Sequence, residues 1–346
     1  MAKLLLTVVY GLVGVVMAYG QDSLSFLNIS GSVDVYYKYD LAGFEDEQGH
    51  GNIGTSFANN QNSASIGMAN LILSQEWDKV GFVADVSFGP RGQSESLLNG
   101  ADGNSFHIQN LLVHYSPADK LTLTAGFMGT FIGYEVISPA ANFHYSTSYL
   151  FSGGPFQNAG ITATYAFSEK VSLMAGLFND WNEYQDGNGM TDFGAQLAIT
   201  PADGYEMYFN FLQSDLAGTT LDVVSSLQLA PSWTTGINIA HHRNGETVTD
   251  YTGFALYQTW GLGENFDLGF RGEWFKYFNQ ESEGNPGGVD GPRMLSATLS
   301  ANINVGSLTF IPEWRMDFAD SEIFIDGSGD ATKSAGQFLI AAVYAF

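Results

Sequence analysis

The sequence lacks cysteine and contains little positive charge. The absence of cysteine from all 346 residues excludes disulfide bonds, thiolate metal sites and cysteine nucleophiles. Lys and Arg total 12 against 36 Asp and Glu, so the formal net charge is -24. Because proteins hold nucleic acid through clusters of Lys and Arg, this balance argues against a nucleic-acid partner. It leaves two interpretations: attraction of small cations, or acidic loops that keep the surface solvated.

Long apolar runs are also absent after residue 20. A helical membrane protein is therefore excluded, since each spanning helix needs about 20 apolar residues. At the N-terminus, Lys3 precedes a shorter apolar run over residues 4–16, and Ala18 and Gly20 supply the small residues that signal peptidase requires. We predict that residues 1–20 are a cleaved signal peptide and that the mature chain begins at Gln21.

Short strands with alternating polarity dominate the remaining sequence. The charged fraction is 14%, the aromatic fraction is 14% and glycine occurs 41 times, a composition typical of many strands joined by tight turns. Residues 295–305 show strict period-two alternation. The apolar members are Leu295, Ala297, Leu299, Ala301, Ile303 and Val305, and the polar members are Ser296, Thr298, Ser300, Asn302 and Asn304. One face of such a strand is apolar and the other is polar and faces water, as in a soluble sandwich or a membrane barrel.

The connections between these strands favour the barrel. Links of two to four residues alternate with long connections, as expected for periplasmic turns and external loops. Aromatic residues near predicted strand ends indicate girdles at the membrane interface. They are Tyr36, Tyr37, Tyr39, Trp77, Phe88, Tyr115, Trp181, Trp274 and Trp314. We predict an all-β, single-domain transmembrane antiparallel barrel over residues 21–346 with about 16 strands, within a range of about 14 to 18, which is wide enough for a water-filled channel.

A resemblance to a known family rests on the central stretch of the chain. It contains Gly133-Tyr134-Glu135-Val136-Ile137, then Tyr145-Ser146-Thr147-Ser148-Tyr149-Leu150-Phe151 and Gly154-Pro155-Phe156. This stretch resembles the OmpL-like β-barrel porins of Bacteroidetes and related Gram-negative bacteria. The resemblance implies an outer-membrane porin, and it supplies no catalytic residues and no cofactor.

The final strand, residues 338–346, ends on Phe346 and resembles the signal that barrel-assembly machinery recognises. Expected partners are therefore this machinery, outer-membrane lipid and small hydrophilic solutes. A homotrimer is expected only by analogy with general porins.

The longest internal connection, residues 129–156, is too apolar to extend freely into water. We predict that this third external loop folds into the lumen and narrows the channel. The candidate constriction residues are Phe131, Tyr134, Glu135, Phe143, Tyr145 and Tyr149. The alternatives are that the loop caps the rim or contacts a neighbouring subunit.

Charged residues at inward-facing strand positions are the second group of candidates. They are Asp34, Lys38, Asp85, Asp267, Arg271, Glu273, Glu313, Arg315 and Asp317. Acids outnumber bases in this group, which predicts a mild preference for cations. Alternatively, Arg271 pairs with Glu273, and Arg315 pairs with Glu313 and Asp317, as packing inside the lumen.

Signals for enzyme chemistry or metal binding are weak. No G-x-S-x-G or H-E-x-x-H motif occurs, and His241 and His242 are adjacent strand residues that point to opposite faces. The acidic loops carry oxygen ligands such as Asp186, but their spacing does not match a calcium-binding loop. The sequence thus predicts a passive diffusion channel for small hydrophilic solutes, with no catalytic residues, metal or cofactor. The alternative is a closed structural or adhesive barrel that binds a partner through its external loops.

Overall fold

A computed structural model describes residues 27–93, 106–246, 248–278, 280–282 and 285–346. The predicted signal peptide, residues 1–20, lies outside the described residues, as does most of the second long connection. Within the described ranges, no helix has the length and apolar character needed to cross a membrane.

The described part of the chain contains twenty strands. They are β1 (Asn28–Asp40), β2 (Ala64–Trp77), β3 (Val80–Phe88), β4 (Phe106–Ala118), β5 (Leu121–Gly129), β6 (Gln157–Ser168), β7 (Val171–Phe178), β8 (Asp192–Ala202), β9 (Tyr205–Ser214), β10 (Gly218–Ala230), β11 (Trp233–Arg243), β12 (Tyr251–Gly261), β13 (Phe266–Tyr277), β14 (Gln280–Ser282), β15 (Asn285–Val289), β16 (Arg293–Val305), β17 (Leu308–Ala319), β18 (Phe324–Ile325), β19 (Ala331–Thr332) and β20 (Ser334–Ala345). The described helices are short: α1 (Pro90–Gln93), α2 (Tyr149–Gly153) and one 3-10 turn (Pro139–Ala141).

Sixteen of these strands form one closed antiparallel barrel, which confirms the predicted fold class. Each barrel strand pairs with its neighbour in the chain, and β1 closes the barrel by pairing with β20. At the seam, the backbones of Gly31 and Phe346 exchange two hydrogen bonds of 3.0 Å. The remaining strands form two small hairpins within long connections, β14 with β15 and β18 with β19.

Alternation along each strand separates an apolar outside from a polar inside. In β1, Val33 and Val35 are exposed on the outer face, whereas Asp34 and Lys38 are buried on the inner face. The outer positions of β16 carry Leu295, Leu299 and Ile303, and the inner positions carry Ser296, Thr298 and Ser300. An exposed apolar outer band is the surface that a barrel presents to lipid.

The two ends of the barrel differ in the length of their connections, as the sequence predicts. The short-turn end has links at 78–79, 119–120, 169–170, 203–204, 231–232, 262–265 and 306–307. The long-loop end has 41–63, 89–105, 130–156, 179–191, 244–250, 278–292 and 320–333, together with the short link 215–217. Exposed Trp77 and Tyr115 mark the short-turn end of the outer face, and exposed Tyr39 and Phe88 mark the other end.

The assignment of Tyr36 to the interfacial girdle is wrong. Its side chain is 6% exposed and lies inside the barrel against Tyr145, whereas Tyr37 is on the outer face. Neighbouring residues of a strand point to opposite faces, so Tyr36 and Tyr37 cannot both face lipid. Trp181 also departs from the girdle, because it lies in a connection and packs against the buried His242 ring at 5.0 Å.

Candidate functional site

The connection 130–156, called the lumen loop from here on, lies inside the barrel. Tyr145 is fully buried, and Ser146, Thr147 and Ser148 are each 1% exposed. The loop makes hydrogen bonds to inward-facing side chains of strands from β1 to β17, so it crosses the lumen rather than capping the rim. The fold thus includes the lumen-folded third external loop that the sequence predicts.

Two carboxylates of the barrel wall hold the main chain of the lumen loop. Glu313 in β17 accepts the backbone N–H of Tyr145 at 2.9 Å and that of Ser146 at 3.2 Å. Glu273 in β13 accepts the N–H groups of Tyr149 at 2.9 Å and Leu150 at 2.7 Å. Each carboxylate thus satisfies two adjacent backbone donors, and together they hold both sides of the turn into α2.

Three buried arginines hold carbonyl groups of the same loop. Arg271 donates to the Ser146 carbonyl at 2.7 Å, and Arg315 donates to the Thr147 carbonyl at 2.7 Å. Arg91, in α1 of the second long connection, donates to the carbonyls of Ile137 and Tyr145 at 3.1 and 3.2 Å. The arginine side chains are 0 to 2% exposed, so they face the loop and not the solvent.

The ion pairs among these residues differ from the cross-strand pairs suggested by the sequence. Arg271 pairs with Glu135 of the lumen loop at 2.5 Å, and Glu273 instead binds backbone N–H groups. Arg315 does pair with Asp317, two residues along the same strand, at 2.8 Å. Sequence distance explains the missed partner, because Glu135 and Arg271 are 136 residues apart.

Two tyrosines connect the loop to the barrel wall. The Tyr145 ring lies 5.5 Å from that of Tyr36, and its hydroxyl donates to Asp34. The Arg91 guanidinium lies 4.7 Å from the centre of the Tyr145 ring, within cation–π range. The Tyr149 hydroxyl donates to Asp317 at 2.7 Å.

Glycines on the inner face of β11, β12 and β13 make room for other loop side chains. A Cβ atom at Gly236 would lie 2.5 Å from the Tyr134 hydroxyl, and one at Gly253 would lie 2.7 Å from Leu150. A Cβ atom at Gly269 would overlap the ring of Phe143. The loop therefore packs against backbone at these points. Tyr134, which occupies the space left by Gly236, also stacks on Tyr257 with ring centres 4.2 Å apart.

The N-terminal part of the lumen loop contacts the opposite wall. Phe131 packs against Phe178 with ring centres 5.7 Å apart, and its carbonyl accepts a hydrogen bond from Gln196 at 3.3 Å. The N–H of Gly133 donates to Asp222 in β10 at 3.1 Å. Contacts on both walls fix the loop across the barrel.

The first and last long connections cover the lumen loop from the long-loop end. Phe57, 1% exposed, packs against Phe151 with ring centres 5.8 Å apart, and the N–H of Ser56 donates to Ser152 at 2.8 Å. Phe324 of β18 is 2% exposed and belongs to the same buried cluster as Ile53. The side of the lumen bounded by β12, β13, β16, β17 and the long-loop ends of β20 and β1 is thus filled by protein, and we call it the filled side.

A recess of about 230 Å³ separates the lumen loop from the wall formed by β1 to β5. Its wall residues include Ser32, Asn70, Ile72, Asp85, Gln109 and Asn110. Its loop residues include Glu135, Val136, Ile137, Ser138, Ala140, Ala141, Phe151 and Phe156. The Asp85 carboxylate accepts hydrogen bonds from the side-chain amides of Asn70 at 3.2 Å and Asn110 at 3.4 Å.

Most of the predicted site residues are packed inside the barrel, two line the recess and one lies at the short-turn end. Of the six candidate constriction residues, Glu135 lines the recess, while the other five are packed against the wall as described above. Of the nine candidate lumen charges, seven are buried, with 4% or less of their surface exposed: Asp34, Lys38, Arg271, Glu273, Glu313, Arg315 and Asp317. Asp85 lines the recess. Asp267 lies at the short-turn end, where it accepts a hydrogen bond from Asn304 at 3.4 Å.

Sequence reasoning missed the apolar loop wall of the recess and the role of Arg91. A weak signal exists for the recess, since Ile137, Phe151 and Phe156 are apolar residues of a predicted loop. For Arg91 the sequence offers only a rare positive charge in a connection, and its hydrogen-bond acceptors lie 46 and 54 residues away.

The structure gives the acidic loops and the histidine pair local contacts. Asp186 accepts the backbone N–H groups of Asp180 at 2.9 Å and Asn188 at 3.1 Å, which lowers its pKa. His241 is exposed on the outer face, whereas His242 is buried inside. Across the described residues, no group of three or more His, Cys, Asp or Glu side chains is arranged to hold a metal ion.

Comparison with known protein families matches residues 26–346 to the family described as "Putative beta-barrel porin-2, OmpL-like". The chain belongs to this OmpL-like porin family. The match extends over the whole described barrel, well beyond the central stretch that carries the resemblance. A comparison with curated proteins finds none that matches.

Solved outer-membrane proteins share the fold of this OmpL-like porin. OmpF of Salmonella typhi, solved with daunomycin, is 10% identical with a TM-score of 0.62, and the match covers 93% of this chain and 98% of that one. An anion-selective porin from Comamonas acidovorans is 12% identical with a TM-score of 0.60, covering 93% and 100%. OmpT of Vibrio cholerae in its trimer form is 11% identical with a TM-score of 0.59, covering 94% and 100%.

At such low identity these likenesses show the fold alone. Membership of the family supports an outer-membrane porin channel, and the solved structures agree with it in fold.

Proposed function

We propose that the protein is a passive diffusion channel for small hydrophilic solutes with a mild preference for cations. The observation that carries this proposal is the recess between the lumen loop and the wall of β1 to β5. On the filled side, charges and rings are sealed against the loop, so the recess offers the solute path. The lumen loop sets its width, because the loop supplies one entire side of it.

The proposed cation preference depends on the charges that face this path. Asp85 and Glu135 are the charged side chains among the described residues that line the recess. Glu135 is compensated by Arg271, whereas the partners of Asp85 are neutral amides. A fixed carboxylate in a narrow aqueous path raises the local concentration of cations.

A deletion within the lumen loop tests the constriction. Removing residues 138–148 takes away Ser138, Ala140 and Ala141 from the loop side of the recess, together with the backbone segment held by Glu313. Single-channel conductance in planar bilayers should rise several-fold, because the path widens. A deletion of 183–189 in the connection between β7 and β8 is the matched control and should leave conductance close to that of the unaltered protein.

Unchanged conductance after deletion of 138–148 would remove the constriction role from the loop. Reversal potentials in a salt gradient test selectivity separately, and an anion preference would refute the cation proposal.

A closed structural or adhesive barrel is the second candidate function. The filled side favours it, since the first, third and last long connections pack together there with Ile53, Tyr149 and Phe324 nearly fully buried. Such a barrel would bind a partner through its external loops. Liposome swelling separates the two candidates: entry of small sugars supports the channel, and impermeable liposomes support the closed barrel.

Export and assembly are proposed from the ends of the sequence. We propose that residues 1–20 are removed during export from a Gram-negative cell of Bacteroidetes or a related group, and that barrel-assembly machinery recognises residues 338–346. N-terminal sequencing of the membrane-inserted protein should begin at Gln21. A homotrimer in the outer membrane is proposed by analogy with other porins, and chemical cross-linking in membranes tests it.

A further inference from the structure

Asp85 is held in one orientation by side chains that are themselves fixed. Asn70 donates to one carboxylate oxygen and its own carbonyl accepts from the N–H and hydroxyl of Ser32 at 2.8 and 2.7 Å. Asn110 donates to the other oxygen while its carbonyl accepts the N–H of Gly129 at 2.8 Å. The carboxylate is thereby oriented before any solute arrives.

The two amides leave acceptor capacity on Asp85. A carboxylate has about four lone-pair positions, and each Asp85 oxygen uses one of them on an amide N–H. Among the described lining residues, none is Lys, Arg or His. A donor group with positive charge therefore meets an acceptor with remaining capacity and no competing cation from the lining.

The side of the recess opposite Asp85 is largely apolar. Ile137, Phe151 and Phe156 line it, and the rings of Phe151 and Phe156 pack together with centres 5.0 Å apart. Phe57 supports these two rings from the long-loop end. Packing of this kind fixes the position of the apolar side as firmly as the amides fix the carboxylate.

We infer that the recess is a subsite for small organic ammonium ions. The ammonium group donates to the Asp85 carboxylate, and the short alkyl part packs against Ile137, Phe151 and Phe156. A neutral sugar lacks the charge that the carboxylate selects, and an organic anion meets repulsion from it. This inference rests on the proposed channel, because the subsite lies on the solute path.

Bi-ionic reversal potentials of the full barrel in planar bilayers provide the test. With potassium on one side and n-propylammonium on the other, the unaltered protein should favour propylammonium beyond the ratio of their mobilities in water. Asp85→Asn keeps the size of the side chain and one of its two amide contacts but removes the charge, and it should lower this preference about tenfold. Asp203→Asn, the same change in an exposed turn at the short-turn end, is the matched control and should have no effect.

Ile137→Ser tests the apolar side separately. It should lower the permeability of propylammonium while leaving that of ammonium unchanged, since ammonium has no alkyl part. Potassium conductance of each variant shows that the barrel has formed.

The outcomes distinguish the subsite from the channel. If potassium passes but propylammonium gains no preference, or if Asp85→Asn leaves the preference intact, the subsite is refuted and the channel stands. If neither ion passes through the unaltered protein, the proposed function fails and the subsite falls with it.

Discussion

At the scale of residues, the inner face of the barrel combines glycines with charged side chains in a pattern that serves the lumen loop. Gly236, Gly253 and Gly269 provide space for loop side chains, and Glu273 and Glu313 bind loop N–H groups. Buried charges are stable only when they are paired or hydrogen-bonded. Here the loop supplies these partners, so the wall and the loop depend on each other.

Substitution of Gly269 by alanine should weaken this fit. The new methyl group would overlap the Phe143 ring, and overpacking of this kind costs about 1 to 3 kcal/mol. We expect a lower free energy of unfolding in urea titrations of the protein in lipid vesicles. Gly187→Ala is the control, because no atom lies within 4 Å of the added Cβ. Equal stability of the two variants would show that Phe143 moves aside at no cost.

Residue positions were more predictable than residue partners. Strand alternation alone identifies Arg271, Arg315 and Asp317 as inward-facing. It did not identify Glu135 as the partner of Arg271, since periodicity carries no information about the path of a loop. The same limit explains why five of six candidate constriction residues contact the wall instead of lining the recess.

At the scale of elements, the strands were predictable because lipid imposes one polarity on each face. Counting the alternating segments predicts the number of barrel strands, and the lengths of the connections between them predict the inequality of the two ends. The hairpins β14–β15 and β18–β19 were missed, since strands of two to five residues inside a polar connection show no alternation to detect. Alternation also fails at Tyr36 and Tyr37, because both residues are aromatic and their polarity does not show which one faces lipid.

The depth of an outer-face residue should determine the effect of a charge placed there. Leu299 lies at the middle of β16 and Val305 at its short-turn end, and both are exposed on the outer face. Arginine at the bilayer centre costs about 2 to 4 kcal/mol, and about 0 to 1 kcal/mol near the interface. Leu299→Arg should therefore destabilise the barrel more than Val305→Arg does in urea titrations in vesicles. An equal loss at both sites would show that this face does not contact lipid.

At the scale of the whole molecule, charge is distributed unevenly. Lys38, Arg91, Arg271 and Arg315 are 0 to 2% exposed, which removes four of the 12 Lys and Arg residues from contact with solvent. Carboxylates in the long connections, such as Asp46 and Asp186, remain at the surface. The described residues also bury ten carboxylates, but the carboxylates that stay at the surface of the long connections give the outside of the channel a negative field, which acts on ions before they reach Asp85.

This external field should make cation preference depend on salt. The Debye length falls from about 10 Å at 0.1 M to about 3 Å at 1 M ionic strength, so distant loop charges are screened. Reversal potentials measured at the two mean concentrations should show a smaller preference for cations at the higher one. A preference that does not change with salt would assign selectivity to direct contact at Asp85 alone.

The hold of Glu273 and Glu313 on the lumen loop has a consequence for variation of the protein. Both carboxylates bind main-chain N–H groups, which every residue type except proline possesses. Attachment of the loop at these positions is thus indifferent to side-chain identity. Natural or randomised variants can therefore exchange the recess residues 137, 140 and 141 and change the selectivity of the channel, while the loop stays attached to the barrel at the same positions.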